Sequence, residues 1–417
     1  MNSGKIENIG NFIISKKIYK NKRKYTLGKY YEKSPFSSEE FYFFPTKNDW
    51  KIIRKNIPTI NLYITQKCNS FCKLCFMNSS PIVSKKFDLS LNEIRSILKK
   101  IGKKKRVVLI GGEPTVRDDL PEIIKLIRKS GNYPILYTNG LKLSDIKYVK
   151  LLKKAGLKQV IITFDGFNPK VTETLRGSKG EHLLKIMALR NLEAERILTF
   201  ISMTVAKGVN ENEIKRVIDY AIKSVKRHGV IRHVMIYGAT ITKGGRYLLP
   251  KETEINAYEL LKLVARSNKD IKTTYLCEFK KLLINFYNFS KKIGYPIPIA
   301  SEGFIGFYKV GSLRELIPTR ELKKINKIWE KNKVLAIIKT IFKIGLFEAV
   351  KMIMFPFDYL LNSNMLIISL GNVNNEHNFK PIDAGCVGIE KNRKTRRVMI
   401  QSFNYTAPGA EAVGEIM

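Results

Sequence analysis

Histidine and cysteine are scarce in this chain, with four and five among 417 residues. The histidines (His182, His228, His233 and His377) are dispersed and form no local metal-ligand motif. So few cysteines exclude the disulfide framework of a small secreted scaffold and fit a reducing compartment. Long apolar runs are also missing: no charge-free stretch reaches the ~18–20 residues needed to span a bilayer. The N-terminal MNSGKIENIGNFIISKK lacks the apolar core and small-residue cleavage site of a secretory signal. Acidic residues are outnumbered, 36 against 75 Lys and Arg, for a net charge of +39. The excess is spread over nearly every segment rather than gathered in a stripe. That favours a solvated basic surface, with anionic lipid headgroups or RNA as alternative partners. A cytoplasmic protein is expected, with peripheral membrane contact as a variant of that expectation.

What the chain does hold is a crowd of thiols. Cys68-Asn69-Ser70-Phe71-Cys72-Lys73-Leu74-Cys75 gathers three of the five cysteines at the end of an apolar alternating run. Three thiolates so spaced on a loop after a strand can converge on one metal centre. Structural zinc takes four Cys or His ligands, and none of the histidines lies near the triplet. A four-iron cluster also takes four thiolates, so three would leave one iron open to a ligand from outside the protein. The residues alone leave iron–sulfur, zinc and coincidence open.

From Thr59 the rhythm is strand then helix, repeated. Thr59–Thr65 alternates as a strand and delivers Cys68 just past its end. Ser90 and Glu93 form a capping box, in which the serine caps an early N–H and the glutamate reaches back. Leu91, Ile94, Ile97, Leu98 and Ile101 follow at helical spacing. Strand 106–110, helix 119–130, strand 134–137, helix 145–155 and strand 158–164 come next. Helix 179–195, strand 197–205, helix 211–227 and strand 230–236 complete the series. Such alternation argues for an α/β fold with parallel pairing and right-handed crossovers. Six strands are fewer than the eight of a complete barrel. Function is expected at the C-terminal strand ends, where Cys68, Gly111, Thr138, Asp165 and Tyr237 fall.

These landmarks carry a resemblance. CxxxCxxC at 68–75 is followed by Gly111-Gly112-Glu113-Pro114, Thr138-Asn139-Gly140, Phe164-Asp165-Gly166 and Arg176-Gly177, in an order and spacing that resemble the radical S-adenosylmethionine (SAM) superfamily over about residues 56–250. One departure is Leu74, where the family often has an aromatic, and Phe76 is the substitute cover. The resemblance implies a partial (β/α)6 parallel barrel in which Cys68, Cys72 and Cys75 hold a [4Fe–4S] cluster whose open iron takes SAM. It further implies a low-potential electron donor, reductive cleavage of SAM and hydrogen-atom abstraction from an inert C–H bond. Gly111, Gly112, Glu113 and Pro114 are implied to receive the methionyl amine: the glycines permit close backbone approach and Glu113 offers a carboxylate to a cation. Thr138 and Asn139 are implied to stand at the mouth of the site. Asp165, Ser202 and Thr204 are candidates for ribose contacts, against the plainer readings of a turn residue and strand hydroxyls.

The expected organisation is a basic N-terminal segment over 1–55, the core domain over 56–250 and a mostly α C-terminal extension over 251–417. Phe41-Tyr42-Phe43-Phe44-Pro45 is too aromatic for a solvated tail and is expected to pack on the main domain. In the extension, Lys333–Phe355 reads as an apolar, basic helix with Lys339, Lys343 and Lys351 in a narrow stripe. It is either a core or lid helix or one lying in a membrane surface. Cys277 and Cys386 cannot by themselves hold another four-iron cluster, so no auxiliary cluster is expected. Cys386 reads as a small buried hydrophobe, with hydrogen-atom or thiol partner as the alternative. The helix tips the substrate expectation toward a lipid-like or membrane-associated molecule, with a peptide, cofactor precursor or RNA as alternatives. A rival of another class is a basic nucleic-acid-binding protein with a structural metal.

Overall fold

The computed structural model describes residues 47–85, 88–241, 245–292, 303–311, 313–346, 348 and 360–372, together with short strands nearer the termini. The first elements are β1 (Ile6–Ile9), β2 (Phe12–Ser15), β3 (Tyr31–Lys33), β4 (Phe41–Phe43), α1 (Lys47–Asn56), β5 (Thr59–Thr65) and β6 (Leu74–Cys75). The alternating region follows as α2 (Leu91–Ile101), β7 (Arg106–Gly111), α3 (Leu120–Lys129), β8 (Tyr133–Thr138), α4 (Ile146–Lys154) and β9 (Gln159–Thr163). It ends with α5 (Pro169–Arg176), α6 (Glu181–Ala194), β10 (Leu198–Val205), α7 (Glu213–Lys226) and β11 (Ile231–Gly238). The remainder supplies β12 (Arg246–Tyr247), α8 (Ala257–Ser267), α9 (Thr273–Lys292), β13 (Gly303–Lys309), β14 (Arg314–Glu315), α10 (Thr319–Lys331) and α11 (Lys333–Ile344). Last come β15 (Met365–Asn372), β16 (Cys386–Lys391) and β17 (Val398–Gln401).

The six expected strands pair in parallel in chain order, β5-β7-β8-β9-β10-β11. Two further parallel strands were not legible as such: β15 adds to β11, and β16 adds to β5. The backbone groups at both edges of the six-stranded sheet are thereby satisfied by later parts of the chain. Beyond them β13 and β17 pair antiparallel, so β15 and β16 do not meet and the barrel stays open.

Local sequence explains the helices. At α2 the Ser90 side chain accepts from the Glu93 N–H at 3.2 Å, and Glu93 accepts from the Ser90 N–H at 2.8 Å, completing the capping box. The same helix buries Ile94, Ile97, Leu98 and Ile101. The strands are apolar on both faces, as a sheet covered by crossover helices requires. Val107, Leu109, Leu136, Val160, Ile162, Ile201 and Val234 face the helices. Val108, Ile135 and Ile161 turn inward, with Tyr137, Phe200 and Met235 packed on them.

Several expectations change in the outer parts. The helix expected over Lys333–Phe355 stops at Ile344, because Gly345 takes a φ of 98° and its N–H caps on Ile341. Residues 349–359, including Lys351, lie outside the described residues. The helix buries Ala336 and Thr340 and packs Ile337 and Ile344 on the core, while Val334, Ile338, Phe342 and Leu346 are exposed, Phe342 by 81%. Phe41–Phe43 forms β4, which joins the main sheet through β17, while Phe44 and Pro45 lie outside the described residues. Lys20–Lys24, residues 373–378 and residues 392–397 also lie outside them. Cys386 stands level with Thr59 in the parallel register, at the opposite strand end from Cys68. The six steps from Thr59 to Thr65 rise about 20 Å, which separates Cys386 from the cysteine loop.

His233 faces the barrel interior, its ring 4.8 Å from Phe200 and its Nε2 2.7 Å from the Ser369 hydroxyl. Burial pushes its imidazole down to about 3. The native state therefore keeps it neutral where the unfolded chain, titrating near about 6.5, takes up a proton. Its contribution is intact above about pH 6.5 and falls by ~1.4 kcal/mol per unit as pH drops toward about 3. Urea unfolding at pH 7 and pH 5 should show a loss of about 2 kcal/mol from this group, absent in His233→Gln.

Candidate functional site

The cysteine loop leaves the C-terminal end of β5 and is fastened from three sides. The Cys68 N–H donates to the Ser80 carbonyl at 3.2 Å, closing the loop on its own far end. The Lys73 N–H donates to Leu175 at 3.0 Å, which ties the loop to the end of α5. Gly177 takes a φ of 81° there, and a Cβ on it would lie 2.9 Å from the Phe71 carbonyl oxygen. The third fastening is β12, which pairs antiparallel with β6, Arg246 opposite Cys75. Arg246 donates to the Cys72 carbonyl at 2.9 Å and to Asn78 and Ser79 at 3.0 Å, and its guanidinium lies 3.6 Å from the Phe71 ring centroid. Phe76 packs with Tyr63, Met77 and Ile110 beside Cys75.

Burial raises the thiol of Cys68 far above its ordinary value, with Glu113 adding to the effect. Burial likewise raises Cys75, and Cys72 adds to it. These thiols ionise only when positive charge arrives to offset the cost, which is how metal binding couples to deprotonation. Among the described residues, no three His, Cys, Asp or Glu side chains are placed to hold one metal ion. A single tetrahedral zinc needs its ligands converged on one point. A four-iron cluster instead takes one thiolate per iron, and three thiols on one loop that are costly to ionise alone are the donor chemistry for it.

The Gly-Gly-Glu-Pro segment is bolted to the cysteine loop. The Gly112 N–H donates to Thr65 and the Glu113 N–H to Lys67, both at 2.9 Å. Contact is so close that a Cβ on Gly111 would lie 1.9 Å from the Thr65 oxygen, and one on Gly112 would lie 2.3 Å from that of Lys67. Pro114 opens a short 3-10 turn, where its missing N–H costs nothing. Glu113 is 1% exposed. Its Oε1 accepts from the Thr115 N–H at 3.1 Å and from the Thr115 and Thr138 hydroxyls at 2.6 Å. Its Oε2 accepts only the Asn139 N–H, at 2.7 Å. Burial raises its carboxyl, against the pull of these donors. No described lysine or arginine pairs with it. A buried carboxylate with a spare lone pair and no cation is a receptor for an ammonium group.

Thr138 and Asn139 therefore serve the glutamate directly. The Asn139 side chain also donates to Asn69 at 2.8 Å, linking this turn to the cysteine loop. Behind the turn lies Lys185 of α6, a fully buried amine that the sequence reading missed. It donates to the Asn139 carbonyl at 2.8 Å and to the Thr163 carbonyl and hydroxyl at 3.1 Å, so its three protons are all placed. Burial lowers its pKa, and neighbouring Arg176 lowers it further.

Asp165 meets Arg176 in a two-pronged buried pair, both bonds 2.7 Å, and also accepts the Thr204 N–H at 2.9 Å. Burial opposes its charge, but Arg176 prevails and holds the carboxyl below its usual range. Its oxygens are thus engaged within the protein, and its structural part is to join β9, β10 and α5. Thr204 lies against Arg176 at 3.4 Å, and the Ser202 hydroxyl is 2.7 Å from that of Tyr137. Cys68, Cys72, Cys75, Gly111–Pro114, Thr138 and Asn139 are drawn together, whereas Asp165, Ser202 and Thr204 sit deeper among protein partners. Besides Lys185, sequence reasoning missed Arg246 and Glu181. For the α6 pair the one signal was the mixture of charged Glu181 and Lys185 with apolar Leu183 and Met187 along one helix, of which the charged residues are buried and the apolar ones exposed; Arg246 had none.

The family profile described as the radical SAM superfamily matches residues 62–221. The chain is 36% identical over 171 residues to a 7,8-dihydro-6-hydroxymethylpterin dimethyltransferase of Methanocaldococcus jannaschii, covering 40% of this chain and 33% of that one. It is 32% identical to a probable GTP 3',8-cyclase of Thermococcus kodakarensis, covering 40% and 54%. It is 30% identical to an Fe-coproporphyrin III synthase of Methanosarcina barkeri, covering 39% and 40%. The chain thus spans about a third to a half of these curated relatives. Among solved structures, the FeFe-hydrogenase maturase HydG from Carboxydothermus hydrogenoformans superposes with a TM-score of 0.42 at 20% identity, covering 53% of this chain and 56% of that one.

The docking of Gly111 predicts a steep cost for a single methyl group. Gly111→Ala, at a φ of 144° and against backbone, should lower the unfolding free energy by more than about 1 kcal/mol. Gly311→Ala, with nothing within 4 Å of its added Cβ, should leave the urea midpoint nearly unchanged.

Proposed function

This chain belongs to the radical SAM superfamily, and from that premise we propose that Cys68, Cys72 and Cys75 hold a [4Fe–4S] cluster beside a SAM seat formed by Gly111–Pro114, Thr138 and Asn139. The observation that carries the reading is Glu113: a buried carboxylate with no described counter-cation, held by two backbone bonds to the cysteine loop. When bound, the cluster supplies a low-potential electron to SAM and so generates a radical able to take hydrogen from an inert C–H bond. The protein's own residues bind, orient and enclose. Glu113 receives the amine of SAM, Asn139 fixes the distance from that seat to the cysteine loop, and Lys185 keeps the turn in place.

A cofactor precursor is the substrate class we favour. The relatives bear the names of enzymes of a pterin, of GTP and of a coproporphyrin, which are small heteroaromatic molecules. An interior lined by Tyr137, Phe200, His233 and Met235 suits a flat ring system better than an acyl chain. These features turn the reading away from the lipid-like substrate that the apolar helix suggested. A separate observation supports contact with an anionic membrane surface: Val334, Ile338 and Phe342 recur every four residues on an exposed face of α11, with exposed Leu346 just past its end and exposed Lys339 beside them.

Three outcomes are expected. Anaerobic reconstitution should load about four irons and four sulfides per chain, and reduction with SAM should release 5′-deoxyadenosine, detected by chromatography and abolished in Cys72→Ala. Glu113→Gln should keep the cluster but weaken SAM binding about ten- to a hundredfold, the value of a charge-assisted hydrogen bond. Flotation with vesicles of anionic lipid should carry the wild type upward and leave Phe342→Glu behind; equal behaviour of the two would remove the membrane reading.

A further inference from the structure

Cys72 sits beside the buried cations of α5 and α6: Arg176 and Lys185 both interact with its sulfur. Lys185 in turn neighbours the carboxylates of Asp165 and Glu181. Glu181, at the start of α6, is 6% exposed. Its Oε1 accepts the Ser70 hydroxyl at 2.6 Å, and its Oε2 is buried without a hydrogen-bond partner. The same Ser70 oxygen lies 3.6 Å from the Cys72 sulfur.

A serine has one proton to give. Committed to Glu181, it leaves only a lone pair facing the sulfur of Cys72. Hydrogen bonds to the sulfurs and nearby charge are among the factors that set the potential of an iron–sulfur cluster. A hydrogen bond to sulfur stabilises the more negative, reduced state; an adjacent carboxylate opposes it. Both effects of Glu181 act in one direction. We propose that Glu181 is a positioning residue that, by its charge and by holding Ser70's proton away from Cys72 together, keeps the cluster a strong reductant. The proposal rests on the assignment of the three cysteines as cluster ligands.

The test is a redox titration of the reconstituted, cluster-loaded protein followed by visible absorption and electron paramagnetic resonance, without substrate turnover. Glu181→Leu removes both the charge and the acceptor and should shift the midpoint potential upward. In a Ser70→Ala background the same replacement should give a smaller rise, since no hydroxyl is left to turn toward the sulfur. Glu181→Gln, whose carbonyl still takes the serine proton, should give a rise of equal size in both backgrounds. It decides the charge part if the leucine variant does not fold. An unchanged potential in Glu181→Gln, or a rise in Glu181→Leu of equal size with and without Ser70, overturns the proposal while the cluster assignment stands. Wild-type protein that takes up no four-iron cluster overturns the assignment and the proposal with it.

Discussion

The constraint on which the site depends is the contact between the backbone after β7 and the backbone after β5. Two hydrogen bonds, from Gly112 to Thr65 and from Glu113 to Lys67, bring the strand-end segments together at a distance no side chain would allow. Register pairing of β5 with β7 then fixes where the cysteine loop begins relative to Glu113. The carboxylate is buried among Thr115, Thr138 and Asn139, which bond it. Burial raises its carboxyl and keeps its spare lone pair from water.

Around this contact the protein invests buried polar groups in holding backbone. Lys185 gives all three protons to the Asn139 and Thr163 positions, and Arg246 spends its donors on Cys72, Asn78 and Ser79. Asp165 and Arg176 join two strands and a helix. Such networks are expensive to leave half-satisfied and rigid when complete. The exceptions are informative: Glu181 leaves one oxygen unpartnered beside the cysteine loop, and Gln66 Oε1 and Ser79 Oγ at the two ends of that loop are buried without a partner as well. The open polar capacity of this network thus gathers around the thiols.

The outer parts of the sheet tell a different story from its centre. Alternation of strand and helix made β5 through β11 legible because each crossover buries its own apolar face locally. β15 and β16 carry no such signature, since each joins a strand far away in the chain. The packing of α11 was illegible for a related reason. Its apolar residues are on nearly every side, so periodicity could not say that Ala336 and Thr340 would be the buried pair and Phe342 the exposed one. Asp165 shows the same limit at the site: its position past β9 was readable, but the fact that Arg176 occupies both its oxygens was not.

By itself the sequence determined where the thiols stand, which strand delivers them, that a glycine-hinged carboxylate follows the next strand, and that the strands run parallel. These follow from spacing and periodicity, which act over a few residues. Only the tertiary structure decided which buried groups meet: Ser70 with Glu181 across 111 positions, Arg246 with Cys72 across 174. No local pattern encodes those meetings, because a hydrogen bond between distant residues is a product of how whole elements pack.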